Sequence, residues 1–272
     1  MTLLACQLLS GCALLSTRRP VDLPTSPRPA SGSLDTSSFM AAPEREDTDN
    51  DAIVRIVSRG TACTGTLVAP QLVLTAHHCV AARDDYGEIV ARDIDPEELE
   101  IEVGGDYLPW RHSAVREVLA PPCGYRTGIG DLAILVLETP IHSIVPQDIE
   151  LGQAPVSSQP VEIFGFGSCA TSAGGLRRHL RAASGIQEIL PSRFRLSAAI
   201  CPGDSGGPVL DLESQKLIGV VSASDMDGQE ATLGPTEITR IDRFGDLFAL
   251  GSAVADGASA AELPPVTSCP GR

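Results

Sequence analysis

The sequence predicts an all-β protein, and three observations carry that prediction. Between Ala52 and Thr239 the chain offers short β-rich runs of four to eight residues, separated by Gly, Pro and Asp. No 3.6-residue periodicity is sustained between them. The βα alternation that a doubly wound parallel sheet requires is also missing. Many short strands in about 200 residues point to barrels or a sandwich.

The runs follow in order. Ala52–Val57 reads AIVRIV behind Asp51, and Gly65–Ala69 reads GTLVA ahead of Pro70. Gln71–Ala76, QLVLTA, resumes after that proline, and Leu99–Val103, LEIEV, stops at Gly104. Leu132–Leu137 is LAILVL after Gly130 and Asp131, and Val161–Gly167 is VEIFGFG after Pro160. Lys216–Ala223 is KLIGVVSA. Only Arg240–Phe248 spaces its apolar residues like a helix, at Ile241, Phe244, Leu247 and Phe248.

With 272 residues, 43% of them hydrophobic, the chain can build one substantial core or two small fused ones. The 26 glycines and 21 prolines suit many turns. A net charge of −15 argues against nucleic acid or an anionic membrane as the main partner, since both need a basic footprint.

The ends read differently from the body. In MTLLACQLLSGCALLSTRRP, Leu9-Ser10-Gly11-Cys12 resembles the lipobox of bacterial lipoproteins, in which the cysteine is acylated after cleavage. An ordinary export signal is the alternative reading. The expected organisation is a targeting segment at 1–17, a Pro/Ser-rich disordered tether at 18–50, a folded domain at 51–250 and an irregular tail at 251–272. Of eight cysteines, Cys6 and Cys12 fall in the targeting segment. The other six, Cys63, Cys79, Cys123, Cys169, Cys201 and Cys269, suit three disulfides in an exported chain. They lack the spacing of a zinc site, so no metal is expected.

The most specific string is CPGDSGGP, Cys201–Pro208. A serine between glycines sits on a tight turn whose N–H groups can converge on an oxyanion. An ordinary Gly/Asp turn is the bland alternative. GDSGGP resembles the nucleophile motif of the chymotrypsin/trypsin-like serine proteases. LTAHHC, Leu74–Cys79, resembles that family's T-A-A-H-C, and GDLAILVL resembles its D-[IL]-A-L-L. VEIFGFG, GVVSA and GPTEITRIDRF resemble further family segments, so the likeness runs from about Ile53 to Phe248.

This resemblance implies two six-stranded antiparallel β-barrels with a short C-terminal helix and a site in the cleft between them. It implies Ser205 as nucleophile, His78 as general base and Asp131 as its orienting carboxylate. The order His78, Asp131, Ser205 is the chymotrypsin one. Gly203 and Ser205 would supply the oxyanion-hole N–H groups, and no cofactor is needed. His77 stands where the family has a small residue, and its expected role is structural. Without that context Asp131 is an ordinary turn residue before a strand.

The resemblance also pairs Cys63 with Cys79. The remaining four cysteines allow three pairings, of which the family fold favours Cys169–Cys201, leaving Cys123–Cys269. Ala199 replaces the acidic residue that binds basic P1 side chains, and Ser222, Ser224 and Thr236 line the pocket. Small or medium apolar P1 residues are therefore expected. Asp225 or Asp227 could instead supply a negative charge, although DMDG reads as a hairpin turn.

Activation departs from the family pattern. No I-V-G-G is present to provide the amine that would pair with Asp204, and FMAAP at Phe39 is the nearest positional match. Either cleavage near Phe39 makes an unusual N-terminus or Asp204 is stabilised in another way.

The expected function is an exported serine endopeptidase, monomeric, acting on a protein or peptide. Membrane contact would come only through a lipid on Cys12. The rivals are a non-catalytic binding protein on the protease fold and an esterase-like hydrolase.

Overall fold

The computed structural model describes residues 50–58, 61–105, 108–124, 129–169, 177–224, 233–267 and 269. The chain divides into units 1–46 and 47–272, and every described residue belongs to the second. The targeting segment with Cys12, the tether through residue 49, Phe39, Asp225 and Asp227 lie outside the described residues.

Eight strands make the first half: β1 (Ile53–Ser58), β2 (Thr61–Ala69), β3 (Leu72–Thr75), β4 (Ala81–Arg83), β5 (Ile89–Asp93), β6 (Leu99–Val103), β7 (Arg111–Leu119) and β8 (Ala133–Leu137). Six of them close a barrel in the order β1-β2-β3-β8-β7-β6, and β4 and β5 form a separate two-stranded sheet. All neighbours in the barrel are antiparallel. The core is built by Ile56, Leu67, Leu74, Ile101, Val115 and Leu135, all essentially closed to solvent. Each such Leu or Ile contributes about 1.5–3 kcal/mol by leaving water.

The second half holds β9 (Val161–Gly165), β10 (His179–Arg181), β11 (Glu188–Ile189), β12 (Arg193–Ala198), β13 (Pro208–Asp211), β14 (Leu217–Ser224) and β15 (Gly234–Arg240). They form one sheet in the order β10-β9-β13-β14-β15-β12-β11. The segment that joins β10 to β11 runs along β12, through the Ala183–Ala198 bridge and a Ser184 N–H to Ser197 carbonyl bond of 2.8 Å. The two ends of the sheet are thereby brought together. Phe194, Leu196, Val209 and Ile238 fill its core.

The helix lies later than the sequence predicts. β15 continues through Arg240, and α1 runs over Gly245–Ala255, five residues into the expected irregular tail. The Ala/Gly-rich composition hides it because small residues give little amphipathic signal, yet alanine is the best helix former. Here the small residue is an asset: a Cβ on Gly251 would sit 3.2 Å from Ile134 and 3.5 Å from Leu72, so α1 lies close on β8 and β3.

Three disulfides staple the described chain: Cys63–Cys79, Cys123–Cys269 and Cys169–Cys201. The second ties the end of the chain to the segment before β8 across a separation of 146 residues. No described helix is long and apolar enough to cross a membrane.

Candidate active site

Strand register brings the first two candidate groups together. β3 and β8 pair antiparallel with Thr75 opposite Ala133, so continuing the ladder by two residues sets His77 opposite Asp131. His77–Cys79 then form a single 3-10 turn, which swings the His78 ring towards the carboxylate. The His78 main-chain N–H donates to Asp131 Oδ1 at 2.8 Å, and Nδ1–H donates to Oδ2 at 2.7 Å. A carboxylate can only accept, so Nδ1 carries the proton and Nε2 keeps its lone pair. The Cys63–Cys79 disulfide anchors the turn from behind.

Asp131 is buried, with 8% of its side chain exposed. Burial pushes its carboxyl up, but the His78 charge and hydrogen bonds from His78 and Ser222 outweigh burial and hold it below its ordinary value. Ser222 Oγ donates to Asp131 Oδ2 at 2.5 Å from the far sheet. The sequence expects Ser222 in the substrate pocket, yet its hydroxyl is committed to this carboxylate.

Because the folded carboxyl is lowered, Asp131 contributes stability that is present above pH 3.8, its ordinary value, and is lost as pH falls through the lower folded value. Ser222→Ala removes one lowering bond. It is expected to move the acid-unfolding midpoint upward in stepwise circular dichroism. An unchanged midpoint would mean that this bond does not hold the carboxylate.

The third group comes from the turn between Cys201 and β13. Asp204 N–H donates to the Cys201 carbonyl at 3.0 Å, and Gly207 N–H donates to that of Asp204 at 2.9 Å. Thr64 of β2 clamps the turn from the barrel side. Its N–H donates to the Ser205 carbonyl at 2.8 Å, and its Oγ1 donates to the Gly203 carbonyl at 2.7 Å. Gly203 and Gly206 have φ of +102° and +83°, a region that L side chains rarely adopt. A Cβ on Gly206 would also strike the Thr64 carbonyl. Among the described residues the N–H groups of Gly203 and Ser205 have no acceptor. Both remain available to a ligand oxygen.

The expected pocket residues separate into two groups. Ala199 is buried and bonds through its N–H to the Ala182 carbonyl at 2.9 Å. Ser224 and Thr236 face each other across β14 and β15, with their hydroxyl oxygens 2.9 Å apart and Thr236 wholly buried. A cleft of about 410 Å³ opens on the other side of His78, walled by Arg83, Arg92, Asp93 and Glu98.

His77 points away from this centre. Its side chain is 1% exposed and lies 2.8 Å from Asp93 Oδ1 through Nε2. Two groups of metal-ligand type occur among the described residues. In one, Cys63 and Cys79 are oxidised to a disulfide and cannot ligate. In the other, Glu102 pairs with Arg55 and Glu100 with His112 on the outer face of the barrel.

Thr64 and Arg181 are the contributors that sequence reasoning missed. Thr64 clamps Gly203 and Ser205, and Arg181 pairs with Asp204 through Nε at 2.7 Å. Neither belongs to a motif. Each is defined by a partner far along the chain.

The candidate groups thus come from two halves of the chain, as in the chymotrypsin-like serine peptidases, and fold and site together define that class. A family model described as Trypsin matches residues 42–247, and the chain belongs to the trypsin family. Among solved structures it is similar to a Glu endopeptidase in complex with MPD, at TM-score 0.57 and 18% identity, over 77% of this chain and 92% of that one. It is also similar to neuropsin, a serine protease expressed in the limbic system of mouse brain, at TM-score 0.56 and 17% identity, over 76% and 96%. At these identities the likeness speaks for the fold alone. Membership of this family implies protein or peptide substrates, and with three disulfides it points to an extracellular or exported protein.

Proposed function

We propose that this chain is a serine endopeptidase using Ser205, His78 and Asp131. The observation that carries the reading is the His78–Asp131 pair at 2.7 Å, which leaves Nε2 as the basic nitrogen. Ser205 Oγ attacks the scissile carbonyl as His78 Nε2 takes its proton. The new oxyanion accepts hydrogen bonds from the Gly203 and Ser205 N–H groups, a contribution of about 2.7–4 kcal/mol per donor in such sites. His78 then passes the proton to the leaving amine. Asp131 stabilises the imidazolium meanwhile. Water, deprotonated by the same nitrogen, releases the acyl group. Labelling of Ser205 by a fluorophosphonate probe tests the reading.

Preference at P1 follows from the pocket walls. Ala199 offers no carboxylate to a basic side chain, and the Ser224–Thr236 contact narrows the entrance. Small or medium apolar residues fit that shape. Thr236→Gly combined with Ser224→Gly is expected to widen it. Relative kcat/KM should shift by about 10–200-fold from Ala towards Phe at P1, read on a matched peptide series. No change in the ratio would place the pocket elsewhere.

The proposed location is the envelope of a bacterial cell, through an acyl chain on Cys12. Intact mass of the native N-terminus tests this.

A further inference from the structure

We propose that Arg181 supplies, within the uncut chain, the cation that holds Asp204 and thereby the Gly203 and Ser205 N–H groups in position, so that activity needs no N-terminal cleavage. The inference rests on the peptidase reading above and concerns how the same site is assembled.

Asp204 immediately precedes Ser205 and is wholly buried. A buried carboxylate without a partner is costly, so its partners decide how this turn sits. Oδ1 accepts from the Gly167 N–H at 2.8 Å and from Arg181 Nη2 at 3.0 Å. Oδ2 accepts from the Cys201 N–H at 2.8 Å and lies 2.7 Å from Arg181 Nε. Three hydrogen bonds and the close Arg181 Nε contact surround the carboxylate. The guanidinium donates one hydrogen bond through Nη2 and holds its charge against the carboxylate, with Nε 2.7 Å from Oδ2.

The walls leave little space for a second cation. A Cβ on Gly167 would come 2.6 Å from the Asp204 carboxylate, and one on Gly165 would collide with it. Arg181 is itself fixed: it lies on β10 opposite Ile163 of β9, its side chain is 7% exposed, and Nη2 also donates to the Gly167 carbonyl at 2.5 Å. An incoming ammonium would have to displace a buried ion pair.

The pair governs the site through the main chain. Asp204 is bonded at its N–H to Cys201, and its carbonyl, which shares a peptide with the Ser205 N–H, accepts from Gly207, so the residue that Arg181 anchors is the one on which this turn is built. Arg181 is therefore a positioning residue. The neighbouring ionisable groups are His179 and Arg177. Burial, then the charges of Arg181 and Arg177, hold His179 below its ordinary value against the pull of Asp204.

The chemistry of the chain makes the test clean. Lys216 is the sole lysine, so acetylation reaches only that side chain and the α-amine. The chain as isolated, with its N-terminus mapped by mass spectrometry, is acetylated and titrated with a fluorophosphonate probe. kcat and KM on a peptide substrate are then followed from about pH 6 to 10.5. An α-amine titrates near pH 8, whereas a guanidinium keeps its charge throughout.

The expected result is an unchanged active fraction and kcat after acetylation, in uncut protein. Arg181→Gln should lower kcat about 10²-fold with KM changed only a few-fold. Arg181→Lys should recover most of kcat near neutral pH and lose it again towards pH 10.5, a limb that a merely structural role would not create. Loss of labelling on acetylation, or labelling that begins only after cleavage between residues 39 and 49, would overturn the proposal and leave the peptidase reading standing. Absence of labelling in every form would remove that reading and this proposal with it.

Discussion

Ser205→Ala is expected to abolish fluorophosphonate labelling and to lower kcat on a peptide substrate by about 10⁶-fold. The size of the effect follows from what the site would have left. The His78–Asp131 pair would still stand at 2.7 Å and the two N–H groups would still be available, but no atom could form the acyl bond. Residual turnover would come from binding and polarisation alone. KM should stay within a few-fold, because the Ser205 hydroxyl is not part of the proposed P1 pocket. A wild-type chain that takes up no probe would instead make this a binding protein built on a peptidase fold.

The second large effect separates two adjacent histidines. His78→Ala removes the group that accepts the Ser205 proton and is expected to lower kcat about 10⁴- to 10⁶-fold. His77→Ala should leave kcat within a few-fold, since the His77 ring is held by Asp93 and not by Asp131. It is not expected to be silent. Removing a side chain that is 1% exposed leaves a cavity and a carboxylate short of a partner, which together cost about 1–3 kcal/mol. Thermal melts alongside kinetics read both quantities. Reversed effects would show that the histidine next to Cys79 had been given the wrong role.

Legibility in the sequence followed physical distance along the chain. β6 and the cores of β1, β2, β3, β8, β9 and β14 were visible because they are contiguous, apolar and punctuated by Gly, Pro or Asp. β7 and β12 escaped notice because each buries one face only. In RHSAVREVL and RFRLSA the apolar residues alternate with polar and charged ones, so neither forms the contiguous apolar run by which the other strands stand out. β13 is hidden inside the apolar end of the serine motif, and in β15, GPTEITR, Gly, Pro, Glu and Thr leave no apolar run. His78, Asp131 and Ser205 could be nominated from short strings. Ser222 and Arg181 could not be given their partners. The bonds that define them span 91 and 23 residues, and only the folded register of the strands closes those distances.

The bond between Cys123 and Cys269 has a consequence for a protein that handles peptide bonds. It closes a loop across a separation of 146 residues, including the whole second sheet, Ser205 and α1. Any cut inside that span, by whatever peptidase, yields two pieces that remain one molecule. Damage of this kind would be invisible on a gel run without reductant and would appear as fragments only when thiol is added. The covalent circle thus sets a tolerance for wear: the half carrying Asp131 and the half carrying Ser205 cannot diffuse apart after a single break.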